Sequence, residues 1–133
     1  MQDEMRILTS AFAISMGASI GALLRWWLGI VMNSTFPTIP LGTLFANIFG
    51  GLLMGMFMGI IKNHSFLSET ARLAIVTGFL GGLTTFSTFS AEAVTLLAQQ
   101  EYVWLATIIG AHVGGSILAT IFGIYFINFL CFR

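Results

Sequence analysis

Ten consecutive residues, Gly81-Gly82-Leu83-Thr84-Thr85-Phe86-Ser87-Thr88-Phe89-Ser90, carry five hydroxyls within seven positions, interrupted by two phenylalanines. The flanking sequence is apolar enough for a lipid bilayer, and a hydroxyl withdrawn from water without a partner costs roughly 1 to 3 kcal/mol. These hydroxyls therefore either bond helix backbone or receive something from water. Phe86 and Phe89, three positions apart, share one face of a helix. Such a pair serves ordinary packing, or it turns electropositive ring edges towards an anion. Thr84 and Thr88 are spaced as a second row one turn apart, with Ser87 beside it. Their hydroxyls can equally bond carbonyls one turn back.

Other polar residues are embedded elsewhere in apolar sequence. Asn47 lies one turn beyond Thr43 in Leu41-Gly42-Thr43-Leu44-Phe45-Ala46-Asn47-Ile48-Phe49-Gly50-Gly51. Its amide offers two donors and an acceptor, suited to bonding between helices or to a ligand. His112 and Ser116, four apart, give the last apolar segment a polar stripe, although a lone histidine also fits a packed neutral imidazole. Glu92 follows Phe89 by three and approaches the far interface, where a carboxylate is solvated. Arg25 lies roughly 27 Å along the first span and is followed by Trp26 and Trp27. That combination anchors a helix at headgroup level or orients a vestibule or partner helix. There is no glycine loop with lysine for phosphate, no His-Glu-x-x-His, no cysteine pair and no span with two carboxylates, so an enzyme is not expected.

The elements that must position these residues are membrane helices. The chain has 133 residues, of which 57% are hydrophobic and 8% charged, whereas soluble domains carry about 25% charged residues. A single all-α membrane domain follows. Net charge is zero and the basic residues are scattered singly, which disfavours nucleic acid and polybasic membrane-surface binding. Cys131, the sole cysteine, has no partner in the chain. A bilayer core takes about 20 helical residues to cross, and four segments qualify: about 7 to 31, 41 to 61, 71 to 98 and 103 to 130. Asp3 and Glu4 precede the first, which reads as a permanent span rather than a cleaved leader. Thr35-Phe36-Pro37-Thr38-Ile39-Pro40 separates the first two spans. Lys62-Asn63-His64-Ser65 ends the second, Ser68 caps the third, and Gln99-Gln100-Glu101 closes it.

The third segment, at about 28 residues, would reach roughly 42 Å as one helix. Tilt could absorb the excess. A break near Gly81-Gly82 is favoured here, because it also frees carbonyls that can hold a cation. Glycines recur every four residues at Gly17 and Gly21, at Gly51, Gly55 and Gly59, at Gly78 and Gly82, and at Gly110 and Gly114. This spacing lets backbones touch within one subunit, and so many close-contact faces also predict a homo-oligomer. Arg6, Lys62, Arg72 and Arg133 fall on one side against at most Arg25 on the other, favouring cytoplasmic termini.

Gly17-x-x-x-Gly21-x-x-x-Arg25, Gly42-Thr43-Leu44-x-x-Asn47-x-x-Gly50 and the 81 to 90 motif together resemble the Fluc (CrcB) family of bacterial fluoride channels over essentially the whole chain. The resemblance implies a multi-pass protein of the bacterial inner membrane that passively exports cytoplasmic fluoride, which enters cells as neutral hydrogen fluoride. It implies an antiparallel, dual-topology homodimer with two pores, a broken third helix, and a central structural sodium ion held by backbone carbonyls of Gly81 and Thr84. Phe86 and Phe89 match the pore-lining aromatic pair, and Asn47 the amide that donates to fluoride. Ser87 and Thr88 match the hydroxyl track, Glu92 a polar partner near it, and His112 with Ser116 the fourth-span lining. Arg25 and Thr43 are carried over as structural residues. Dual topology sets these motifs against the charge count, and the motifs are followed. The alternative is a small multidrug-resistance exporter. That class needs an embedded carboxylate in its first span, where this chain has only Arg25. A non-transporting membrane subunit would leave the 81 to 90 cluster without a use.

Overall fold

The computed structural model describes residues 1–36, 38–63 and 67–131. Helices α1 (Gln2–Met32), α2 (Leu41–Asn63) and α6 (Tyr102–Cys131) are continuous, and no strand occurs among the described residues. The third span, Glu69–Ala98, is assembled from pieces: α3 (Glu69–Leu73), a π-helical stretch Ala74–Leu80, α4 (Gly81–Leu83) and α5 (Phe86–Ala98). All four spans are long and apolar enough to cross a bilayer. The protein is a four-span α-helical membrane protein with a broken third helix.

The connections form for local reasons. Asn33 Oδ1 accepts the Gly42 N–H at 2.8 Å, tying the end of α1 to the otherwise unpartnered first turn of α2. Ser68 caps α3 as the sequence predicts, its hydroxyl accepting the Ala71 N–H at 3.2 Å. After α5 the chain turns at Gln100, whose φ of 61° is left-handed. There the Glu101 N–H reaches the Leu96 carbonyl and the Gln100 N–H that of Leu97. These two bonds are a Schellman closure with glutamine in the position glycine usually fills. Pro37 and the His64-Ser65 end of the second connection lie outside the described residues, as does Arg133 of the charge count.

Backbone contact holds the spans together, as it must where lipid is as apolar as the side chains. α1 packs on the π-helical stretch and α4: a Cβ at Gly17 would run into the Ala74 carbonyl, and one at Gly82 into the Ala18 carbonyl. α2 packs on α6, where a Cβ at Gly55 would strike the Thr120 carbonyl and one at Gly123 the Leu52 carbonyl. Gly110 and Gly114 differ from these, since nothing lies within 4 Å of a Cβ added at either. Leu28, Ala46 and Leu83 form one buried cluster between α1, α2 and α4. Phe89, Leu96 and Ile108 form another between α5 and α6.

Candidate functional site

The break falls at Thr84 and Thr85, two residues beyond the glycine pair that pointed to it. Gly81 is helical (φ −64°, ψ −37°), whereas Thr84 (φ −84°, ψ 155°) and Thr85 (φ −150°, ψ 118°) are extended. Gly82 instead allows the close approach of α1, where an added Cβ would meet the Ala18 carbonyl, whereas Gly81 has no atom of α1 near it. Because Thr84 is extended, Thr84 and Thr88 do not form the single helical row their spacing implied. Thr84 ends α4, donating both its N–H (3.0 Å) and its hydroxyl (2.8 Å) to the Leu80 carbonyl. Thr85 caps α5, accepting the Thr88 N–H at 3.2 Å and donating to the Thr88 hydroxyl at 3.0 Å.

Breaking a helix inside a membrane strands backbone groups, and side chains from two other spans collect them. Asn47 Oδ1 accepts the Thr85 N–H at 2.7 Å, and Asn47 Nδ2 donates to the Thr85 carbonyl at 3.0 Å. Arg25 Nε donates to the Gly82 carbonyl at 3.1 Å. Arg25 is therefore bonded to the broken span from within the protein, beyond the headgroup anchoring that its tryptophan neighbours indicated. In a continuous helix the Thr85 N–H would bond the Gly81 carbonyl and the Thr88 N–H that of Thr84. Both N–H groups are diverted to side chains, so these two carbonyls lose their helical donors.

Asn47 also meets His112, with Nδ2 2.9 Å from the ring Nδ1. A backbone N–H can only donate, so the atom facing Thr85 N must be the amide oxygen, which fixes the orientation of Asn47. The amide nitrogen likewise only donates, so His112 Nδ1 is the acceptor and the proton of the neutral imidazole resides on Nε2. His112 is 3% exposed and stacks on Phe89, ring centroids 4.7 Å apart. Phe89 meets Phe86 edge to face at 5.5 Å and 65°.

These groups border a groove of about 420 Å³ between α2, the third span and α6. Asn47, Gly81, Thr84, Phe86, Phe89, His112 and Ser116 all line it. Ser87, Thr88, Thr43 and Glu92 do not. Ser87 is exposed, with its hydroxyl 3.2 Å from that of Thr85, and Thr88 is engaged in the α5 cap. Thr43 and Glu92 form a separate rung, one turn before Asn47 on α2 and one turn beyond Phe89 on α5, the Thr43 hydroxyl donating to Glu92 Oε1 at 2.7 Å. Glu92 faces a second depression with Thr38 and Gln99.

Two participants were not singled out in the sequence. Thr85 was available from its spacing to Thr88, a capping pattern that overlaps the apparent hydroxyl row. Thr120 continues the four-residue step of His112 and Ser116; it lines the groove and donates to the Gly51 carbonyl at 3.0 Å. That bond ties α6 to α2 beside the lining.

Fold and site thus define a small multi-pass membrane protein in which a broken span, its exposed backbone collected by side chains, borders a groove of hydroxyl, amide, imidazole and aromatic groups. The chain belongs to the CrcB family: the family model described as "CrcB-like protein, Camphor Resistance (CrcB)" matches residues 12–124. It is 54% identical over 118 residues to a protein of Nitrosospira multiformis named "Fluoride-specific ion channel FluC", covering 89% of this chain and 92% of that one. Proteins with the same name from Pseudomonas paraeruginosa and Tolumonas auensis are 49% and 51% identical, over 93% and 88% of this chain and 98% and 92% of theirs.

Proposed function

We infer that this protein is a fluoride-selective ion channel that lets fluoride leave the bacterial cytoplasm passively through the inner membrane. The observation that carries this reading is a neutral groove beside the broken span, in a chain about half identical to proteins named as fluoride channels. Fluoride is small and strongly hydrated. A pore must replace its water with several donors yet hold it weakly enough to release it. Hydroxyls, an amide, an imidazole and phenyl edges meet both demands, whereas a lysine at the constriction would trap the ion. Phe86, Phe89, Asn47, His112 and Ser116 form the path, with Ser87 and Thr88 as its hydroxyl track and Glu92 as a polar partner beyond. Thr43 has a structural role, orienting Glu92.

The working unit in this reading is an antiparallel homodimer of dual topology. Phe86 is 77% exposed in one protomer, and an open Gly110–Gly114 face on α6 supports a second copy covering it. A sodium ion at the subunit boundary fits the Gly81 and Thr84 carbonyls. They are hard oxygen donors deprived of their helical N–H partners, and both residues border the groove. Bound there, sodium supplies a fixed positive background without a basic side chain.

A multidrug-type exporter is not favoured, since the acidic residues of α1, Asp3 and Glu4, stand in its first turn rather than within the bilayer. The deciding experiment is purified protein in liposomes, with fluoride and chloride efflux followed by ion-selective electrodes. Fluoride release with little chloride release is expected, and equal or absent fluoride release overturns the assignment. A cysteine placed at Lys62 in a Cys131→Ser background, labelled from one side of the membrane, reports topology. Labelling of about half the chains is expected for dual insertion, and labelling of all or none opposes it.

A further inference from the structure

On the outer face of the third span, Glu69, Arg72, Leu73, Val76 and Thr77 line an open depression of about 430 Å³. Glu69 and Arg72 stand at the start of that span, where a bilayer presents its headgroups. Three positions apart on a helix, they could pair with each other. They do not: among the described residues the sole ion pair joins the Met1 amino group to Glu4. The depression therefore carries one unpaired anion and one unpaired cation, both exposed. Thr77, farther into the span, stands out in another way. The exposed hydroxyls of Thr9, Ser15, Ser19, Ser90, Thr95 and Thr107 each donate to the carbonyl four residues back. In the π-helical stretch backbone bonds reach the fifth residue instead, as from the Gly81 N–H to the Val76 carbonyl. The one-turn spacing that serves the other hydroxyls is lost there, and the exposed Thr77 hydroxyl makes no hydrogen bond among the described residues. A hydroxyl below the headgroups needs a partner, which comes from the bilayer or from another chain.

We propose that this depression binds one phospholipid whose headgroup carries a primary ammonium, as in phosphatidylethanolamine. Arg72 donates to the phosphate oxygens, Glu69 accepts from the ammonium, and Thr77 donates to an acyl ester carbonyl. Charge complementarity selects this occupant: a zwitterionic headgroup brings one cation and one anion to a site that presents one of each. The spacing agrees. Thr77 lies five residues beyond Arg72, no more than about 7.5 Å along the axis, and the ester carbonyls of a phospholipid lie one glycerol below its phosphate. Leu73 and Val76 border the same depression with apolar side chains for the first methylenes of the acyl chain. The inference goes beyond the channel reading and does not depend on it, since fluoride has no part in it.

The test reads lipid retention. The full chain, purified in detergent and equilibrated with equal amounts of dioleoyl phosphatidylethanolamine, phosphatidylglycerol and phosphatidylcholine, is weighed by native mass spectrometry. One phosphatidylethanolamine per chain is expected to be retained ahead of the other two lipids. Arg72→Gln and Thr77→Val remove contacts to groups that all three lipids share, so both are expected to lower retention of each, Arg72→Gln about tenfold. Glu69→Gln is expected to bring phosphatidylethanolamine down to the level of phosphatidylcholine, whose quaternary ammonium has no N–H. Arg6→Gln, at a basic residue outside the depression, is expected to change nothing. All four side chains are exposed, and the helix content of each variant by circular dichroism is expected to match that of the unaltered protein. Equal retention of the three lipids by the unaltered protein overturns the proposal, as does unchanged retention in Arg72→Gln. A loss in Arg6→Gln as large as that in Arg72→Gln also overturns it, because general attraction to a basic end then suffices. Efficient crosslinking of two chains through Thr77→Cys in a Cys131→Ser background overturns it too, since a second copy then covers this face. Fluoride efflux is not among these readouts, so the channel reading stands or falls on the liposome experiment alone.

Discussion

Asn47 holds Thr85 by both ends of its backbone, accepting the N–H at 2.7 Å and donating to the carbonyl at 3.0 Å. One amide side chain thereby stands in for the helical partners that the break removes. Asn47→Leu, similar in bulk but without polar atoms, leaves the Thr85 N–H and the Thr85 carbonyl in the membrane with neither bond. Each buried group so exposed costs about 1 to 3 kcal/mol, and a clear fall in thermal unfolding temperature in detergent is expected, together with loss of fluoride efflux. An unchanged unfolding temperature would show that the break is held elsewhere.

Phe86 and Phe89 touch, yet they occupy different environments in the protomer: Phe89 is 7% exposed and Phe86 77%. Isoleucine in place of either ring keeps apolar bulk and removes the electropositive edge. Phe86→Ile is expected to alter protomer stability by no more than about 0.5 kcal/mol, as for other exposed positions. Phe89→Ile removes the stack on His112 and is expected to cost more. Both are expected to lower fluoride efflux with the assembly intact, as judged by size-exclusion chromatography. Full efflux in both variants would rule out a role for the ring edges.

The glycines fall into two groups, those in close contact inside the described chain and those whose faces are open. At Gly82 an added methyl meets the Ala18 carbonyl, whereas at Gly110 it meets nothing within 4 Å. Overpacking at a fixed backbone contact costs about 1 to 3 kcal/mol, so Gly82→Ala is expected to lower the unfolding temperature and Gly110→Ala to leave the protomer fold intact. A larger Gly110→Leu change is expected to abolish chemical crosslinking into dimers while the helices remain folded. Undiminished crosslinking would place the interface elsewhere.

Much of this was legible in the residues. Span boundaries follow from hydropathy because the bilayer imposes a length, and Ser68 shows itself as a cap because Glu69 and an apolar run follow it. The position of the break was harder to read. Glycine signals both flexibility and close approach, and at Gly82 the second meaning applies, since it packs against Ala18 while both it and Gly81 stay helical. The extended residues are threonines, whose β-branched side chains suit that conformation and whose hydroxyls cap the new helix ends. The bonding of Asn47 and Arg25 to the broken span spans separations of 38 and 57 residues. Local pattern contains no information about such pairings; only the packing of α1 and α2 against the third span brings them about.

The carbonyls of Gly81 and Thr84 lead to a prediction about sodium that does not depend on measuring transport. Both oxygens have lost helical donors to Asn47 and Thr85, so in the proposed dimer a hard cation is expected at them. An ion bound to the assembled state alone stabilises it by RT ln(1 + [Na⁺]/Kd), about 2.7 kcal/mol at a hundredfold excess over Kd. Exchanging sodium for N-methylglucamine at constant ionic strength is therefore expected to lower the unfolding temperature and loosen the dimer, with recovery on returning sodium. Removing the Thr84 side chain by Thr84→Ala keeps the carbonyl but deletes the hydroxyl bond to Leu80, so it is expected to cost stability while preserving the sodium dependence. Sodium dependence that vanished in Thr84→Ala would point to the hydroxyl rather than the backbone as the ligand. An unfolding temperature indifferent to sodium in the unaltered protein would exclude a structural ion at these carbonyls.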